Sequence, residues 1–263
     1  MSTFRVVSLQ SGSNGNCYFV ESGDVRLLID AGITASRTAE RLNLLGVDTA
    51  SIQGIVVSHA HSDHLCGTGV LHRKYQIPVW LSQGTYHHAA ATASIAKKLG
   101  KLQEPHLFHA GETLRFGGLT IETIATPHDS PDSVCFVLDN GSVRFGIMTD
   151  LGCCFLGLGG IVETLNAMLL ESNYDTKMLE SGPYPEELKQ RIKSNYGHLS
   201  NDESAGLIRK HGKKLRWVCL GHLSENNNTP EKTLDTHRKI VGDNLNIVIA
   251  SRYQCTEIPP LSY

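Results

Sequence analysis

The chain has 263 residues, 40% of them hydrophobic and 19% charged, the balance of a globular protein able to bury a sizeable core. A formal net charge of −2 excludes a global electrostatic grip on nucleic acid and leaves room only for a local basic patch. No run approaches the length of a membrane span, and neither a basic n-region nor an apolar h-region opens the chain, so the cytoplasm is the expected location.

The predicted elements follow in chain order. Phe4 to Leu9 reads as a strand, and Ser11-Gly12-Ser13-Asn14-Gly15-Asn16 as a tight loop. Cys17 to Glu21, a Ser22-Gly23-Asp24 turn and Val25 to Ile29 make a hairpin. A helix is expected over Ser36 to Leu45, closed by Gly46. Ile55-Val56-Val57 is a short buried strand, and Gly67 to Tyr75 has helix-compatible spacing. Val134 to Leu138 and Val143 to Met148 form a second hairpin that echoes the first: with Gly23 set on Gly141, Cys17 meets Cys135 and Val25-Arg26 meets Val143-Arg144. Both hairpins run into an Asp and a nearby Gly, at Asp30-Ala31-Gly32 and, two residues later in register, at Asp150-Leu151-Gly152. Ala167 to Leu170 and Leu215 to Leu220 read as buried strands, and Ser200-Asn201-Asp202-Glu203 has capping-box spacing for a helix ending near Gly212. Two related β-rich halves with helices outside predict a layered α/β sandwich, with one domain over 1–263 because no linker interrupts the chain.

The seven cysteines include no CxxC pair and lie mostly in apolar runs, at Cys17, Cys135 and Cys219, as buried thiols do. The thirteen histidines are more informative. His59-Ala60-His61-Ser62-Asp63-His64 places four ligand-type side chains within six residues. Alternation puts His59 and His61 on one side of an extended segment, and Asp63 and His64 fall where a helix can begin. Imidazole suits zinc and iron, and carboxylate suits harder divalent ions such as manganese, so the metal's identity stays open.

That run matches the HxHxDH signature of the metallo-β-lactamase superfamily. The rest of its pattern follows in order, each part after a strand: Thr126-Pro127-His128-Asp129, Thr149-Asp150 and Gly221-His222. The resemblance implies the four-layer αβ/βα sandwich of that fold and two divalent metal ions. By it, His59, His61 and His128 hold the first, Asp63, His64 and His222 the second, and Asp150 bridges them. Asp30 resembles the family's early aspartate, which supports the ligand loop through hydrogen bonds. A water shared between two cations gives hydroxide near neutral pH, the expected attacking group.

Gly-His-Leu-Ser occurs twice, and Gly197-His198-Leu199-Ser200-Asn201 precedes a helix instead of closing the metal pattern. His198 there can hold a phosphate at the helix start, protonate a leaving alkoxide, or be an exposed loop histidine. Lys189, Arg191, Lys193, Arg209, Lys210, Lys213, Lys214 and Arg216 surround it in sequence, opposed only by Asp202 and Glu203, as a solvated face or a phosphate-backbone contact. Gly197-His198-Leu199-Ser200-Asn201 and Leu188-Lys189-x-Arg191-Ile192, with the loop at residues 11–16, Glu171-Ser172-Asn173-Tyr174-Asp175, Gly182-Pro183-Tyr184-Pro185 and Gly221-His222-Leu223-Ser224-Glu225-Asn226-Asn227, resemble the YycJ/WalJ branch of the superfamily. More distantly the chain is similar to phosphonate-pathway cyclic phosphodiesterases and tRNA-processing nucleases. The resemblance implies a bacterial 5′-to-3′ DNA exonuclease. For such an activity Asp63 and His198 are the expected catalytic residues, and Asn14, Asn16, His198 and Ser200 the expected substrate contacts. Two rival functions share the ligands: a thioester hydrolase of the glyoxalase II type, and a regulatory module that keeps its metals without turnover.

Overall fold

The structure is a computed structural model that describes residues 4–259. Fourteen strands lie in two seven-stranded sheets. The first holds β1 (Phe4–Gln10), β2 (Cys17–Ser22), β3 (Val25–Ile29), β4 (Gly54–Val57), β5 (Val79–Ser82) and β6 (His106–Phe108) in sequential order. The second holds β7 (Thr113–Phe116), β8 (Leu119–Ala125), β9 (Val134–Asp139), β10 (Arg144–Met148), β11 (Ala167–Glu171), β12 (Trp217–Gly221) and β13 (Asn246–Ile249). The short β14 (Thr256–Glu257) returns to pair with β1 in the first sheet. Each sheet begins antiparallel and becomes parallel, from β3 onward in the first and from β10 onward in the second.

The period-two alternation of the strands builds four layers. Tyr18 and Val20 of β2 join Ala167 and Leu169 of β11 and Trp217 and Cys219 of β12 in a core between the sheets. The alternate residues face outward: Cys17 and Phe19 pack with Leu42 and Leu71 from the helices over the first sheet, and Met168, Leu170, Val218 and Leu220 pack with Leu207 and Ile208 over the second. The central parallel strands β4, β11 and β12 are therefore mostly apolar, as strands buried on both faces are. This is the αβ/βα sandwich expected from the sequence.

Local chemistry sets the element ends that matter for function. The helix Ala35–Leu44 starts on Thr34, whose side chain accepts from the Arg37 amide. The helix Thr68–Tyr75 and the helix Asn201–His211 lie where the sequence places them. Ser200 and Glu203 do form the reciprocal capping box. Cys17, Cys135 and Cys219 are buried free thiols. No helix among the described residues is long and apolar enough to cross a membrane.

A candidate metal centre

The HxHxDH run leaves the C-terminal end of β4. Asp30, at the end of β3, fixes that exit: its carboxylate accepts from the Ser58 amide at 2.7 Å and the Ser58 hydroxyl at 2.9 Å. Its other contact is His64, whose Nδ1 lies 2.7 Å from Oδ2. His61 precedes a one-turn helix, Ser62–Leu65, that carries Asp63 and His64. The Ala31 amide donates to His64 and the Asn16 amide to Asp63, so the loops after β1 and β3 brace this turn. Gly32 permits the close approach, since a Cβ there would fall 1.6 Å from the Asp63 carbonyl oxygen.

The other predicted residues arrive from strand ends of the second sheet. His128 follows β8, Asp150 follows β10, and His222 follows β12. Asp30, Asp150 and His222 all adopt left-handed backbone angles, with φ of 57°, 57° and 55°. Strain of this kind is tolerated where packing holds a side chain in a required place. Asp30 and Asp150, the paired ends of the two similar hairpins, bracket one imidazole: Asp30 meets His64 Nδ1, and Asp150 Oδ2 lies 3.0 Å from His64 Nε2.

Ligand atoms of His59, His61 and His128 lie within 4.8 Å of one another, and so do those of Asp63, His64 and His222. Asp150 stands between the groups, 3.6 Å from His128 Nε2 and 3.6 Å from His222 Nδ1. Glu171 and His198 join Asp150 and His222 in a further cluster. Asp30 falls in none of these clusters, in keeping with a supporting role.

The donors suit divalent cations. His59 Nε2 and His222 Nε2 are buried with no hydrogen-bond partner, an arrangement that needs a ligand to offset desolvation. The opposite ring nitrogens are engaged: His59 Nδ1 meets Ser58 Oγ, His128 Nδ1 meets the Gly197 carbonyl, and His222 Nδ1 meets Glu171 Oε1. A proton fixed on Nδ1 by an acceptor leaves the Nε2 lone pair for a metal.

The electrostatics divide in the same way. Burial, with the neighbouring imidazoles, pushes His59 far below the usual histidine range and lowers His61 and His128 as well, so this trio is neutral. Burial also works against charge on His64 and His222, but the carboxylates outweigh it. Asp150, with Asp30 and Asp63, raises His64, and Asp150, Asp63 and Glu171 raise His222 to about 10. The second group thus carries the charge density that a cation would replace.

Glu171 is the residue that sequence reasoning missed. It is fully buried at the end of β11. Oε1 accepts from His198 Nδ1 and His222 Nδ1, each at 2.8 Å, and Oε2 accepts from the Leu151 and Leu199 amides. Burial raises its carboxyl, but His198 and then His222 more than offset this and hold it ionised. In the sequence it is only an acidic residue closing the apolar run Ala167 to Leu170, which does not by itself mark a site.

The expected substrate contacts divide. His198 stands beside the metal cluster, its ring centroid 5.4 Å from that of His128 and 5.2 Å from that of His222. Asn14 is on the exposed loop and reaches the Arg252 carbonyl. Asn16 is wholly buried, its side chain spent on the Gly12 amide, Tyr18, Asp63 and His64. Ser200 is buried too, its hydroxyl engaged by Glu203, whose carboxylate also occupies the helix start that might have taken an anion. Neither has a free polar group for substrate. The basic run divides as well: Arg191 pairs with Asp129 beside His128, whereas Lys210, Lys213 and Lys214 gather around Glu163 and His211 at the far end of the 11-residue helix, about 16 Å of helical rise away.

A sequence profile of the metallo-beta-lactamase superfamily matches residues 11–145. The chain belongs to that superfamily. Exodeoxyribonuclease WalJ of Streptococcus pneumoniae is 36% identical over 87% of this chain and 84% of its own length. Exodeoxyribonuclease YycJ of Bacillus anthracis is 31% identical over 85% and 83% respectively. Among solved structures, the metallo-beta-lactamase fold protein YhfI of Bacillus subtilis superposes with a TM-score of 0.72 at 18% identity, over 98% of this chain and all of its own. The superfamily binds divalent metals, and the His and Asp clusters above are where this member has the donors for them.

Proposed function

We propose that the protein is a metal-dependent DNA exonuclease that degrades strands from the 5′ end. His59, His61 and His128 would hold one divalent cation and Asp63, His64 and His222 a second, with Asp150 shared. When bound, two such cations make a water nucleophilic near neutral pH and neutralise charge on phosphoryl oxygens. Zinc, manganese and iron all suit this imidazole and carboxylate set. Asp63, with 23% of its side chain exposed, keeps one face of the second group open to solvent.

One observation carries the choice of phosphodiesters: His198 stands at the metal group with Nδ1 fixed on a buried carboxylate. That leaves Nε2 to exchange a proton with the leaving oxygen. An alkoxide leaving a phosphodiester requires that proton. A thiolate leaving a thioester does not, because thiols ionise near pH 8.5 unaided. Likeness to two proteins named exodeoxyribonucleases over most of the chain supports the same reading.

The test is degradation of single-stranded DNA bearing a 5′-phosphate and a 3′ label, with metal content measured on the same sample. Mononucleotides released from the 5′ end are expected. Hydrolysis of a glutathione thioester with intact DNA would overturn the nuclease reading and leave the metal assignment standing.

A further inference from the structure

Beside the ligand cluster stands a cation, and a few residues on, next to His198, an exposed aromatic ring; neither the fold nor the ligand set requires them. Arg191 lies in the last turn of the helix Glu186–Lys193 with more than half of its side chain exposed. Its Nε lies 3.2 Å from Asp129 Oδ2. The other carboxylate oxygen of Asp129 is 3.4 Å from both His61 Nε2 and His128 Nε2. The guanidinium is therefore one carboxylate away from two imidazoles of the first group. Among the described residues, no hydrogen bond takes up its two terminal nitrogens.

The adjoining loop is built rigidly onto the same corner. The His198 amide donates to the Ile192 carbonyl, and Gly197 packs so tightly on this helix end that a Cβ would fall 2.3 Å from the Arg191 carbonyl oxygen. Tyr196, between that helix and His198, leaves 61% of its surface in solvent. On the other side, Gly152 abuts the Asn195 carbonyl, and its loop carries the fully exposed Leu156. A guanidinium, an exposed ring and the histidine at the metal group thus share one short, braced stretch. Guanidinium forks take phosphate oxygens, and exposed aromatic rings take the faces of unstacked bases.

We propose that Arg191 and Tyr196 form a nucleotide-docking subsite for single-stranded DNA, with a backbone phosphate on the guanidinium and a base on the phenol ring. This rests on the nuclease reading and adds how the strand is held: Asp129 keeps the guanidinium aimed along the metal group, and the terminal nitrogens bind the phosphate beside the one being cleaved. Lys189, on the same helix, turns its ammonium to the Glu180 carbonyl, not to Asp129.

The experiment measures binding of a short single-stranded phosphorothioate oligonucleotide, which resists cleavage, to the metal-loaded protein across a salt series. Arg191→Ala should weaken binding by about 10-fold or more, and should make the slope of log K against log salt shallower by about 0.7, the loss of one phosphate contact. Arg191→Lys should retain the slope. Tyr196→Ala should weaken binding by at least about 5-fold, with Tyr196→Phe near wild type. Metal content should not change. If Arg191 merely braced Asp129, then Asp129→Asn would reproduce the loss; the subsite predicts undiminished affinity, because the amide oxygen of Asn still accepts from Arg191 Nε and keeps the guanidinium in place. Wild-type affinity and slope in Arg191→Ala and Tyr196→Ala, in a protein that still degrades DNA, would overturn the subsite alone. A wild-type protein that neither binds nor degrades DNA would overturn the functional reading with it.

Discussion

Glu171→Gln exchanges one oxygen for an amide nitrogen and leaves the side-chain volume intact. The carboxylate serves four donors, two imidazole Nδ1 atoms on one oxygen and two backbone amides on the other. An amide has one acceptor oxygen, so one pair must face its NH2 group. If the backbone pair keeps the oxygen, both histidines must move their protons to Nε2. For His222 that is the buried nitrogen left without a hydrogen-bond partner and so available to a cation. If the histidines keep it, two buried amides are orphaned. Either way two hydrogen bonds to a charged acceptor are lost, each worth about 1.5–3 kcal/mol. Partial relaxation brings the expected loss of unfolding free energy to about 2–4 kcal/mol, and loss of the tautomer lock weakens metal binding by about 10–100-fold. Urea denaturation of the metal-free protein and competition with a chelator read the two effects separately. Wild-type values in both would refute the claim that Glu171 sets the imidazole tautomers.

Three further outcomes follow from packing and charge. Gly32→Ala forces a Cβ onto the Asp63 carbonyl, so stability should drop by about 3 kcal/mol and metal content should fall, as read by denaturation and elemental analysis. Ser200→Ala removes the capping box and should cost about 1 kcal/mol of stability; a rise in KM for DNA would instead mean that the hydroxyl meets substrate. His237 is buried between the Thr233 carbonyl and Ser204, and burial lowers it to about 4. Below about pH 6.5 the unfolded chain binds a proton that the folded one refuses until near pH 4, so stability is whole above that window and falls as pH drops through it. The contribution lost between about pH 7 and pH 5 is roughly 2 kcal/mol. His237→Gln should remove it, and an equal acid loss in wild type and variant would show that His237 is not responsible.

The layers were legible because the short apolar runs of β11 and β12 read as strands buried on both faces, and because the two hairpins share a pattern whose Asp ends now face one histidine. The HxHxDH run could be read as a turn of ligand-type residues because Asp63 and His64 fall where a helix can begin; that this helix is a single turn, separate from Thr68–Tyr75, shows only in the fold. Glu171 could not be read, because a strand-end carboxylate looks alike whether it meets solvent or two imidazoles; only the arrival of His198 and His222 from distant segments decides it. Asn16 and Ser200 were misleading for a related reason. Polar loop residues near a site serve substrate or backbone equally well by composition, and here both are consumed by local hydrogen bonds. The basic run looked continuous in sequence, but an intervening helix carries its two ends apart and leaves Arg191 beside the ligands.

The most direct measurement compares His198→Ala with the wild type on two phosphodiesters, DNA and a nitrophenyl diester whose leaving group needs no proton, with metal content verified equal. The account predicts a fall in kcat on DNA of about 10²–10⁴-fold and a far smaller fall on the nitrophenyl ester. Equal losses on both substrates, or none on DNA, would contradict the assignment of His198 as proton donor at the metal group.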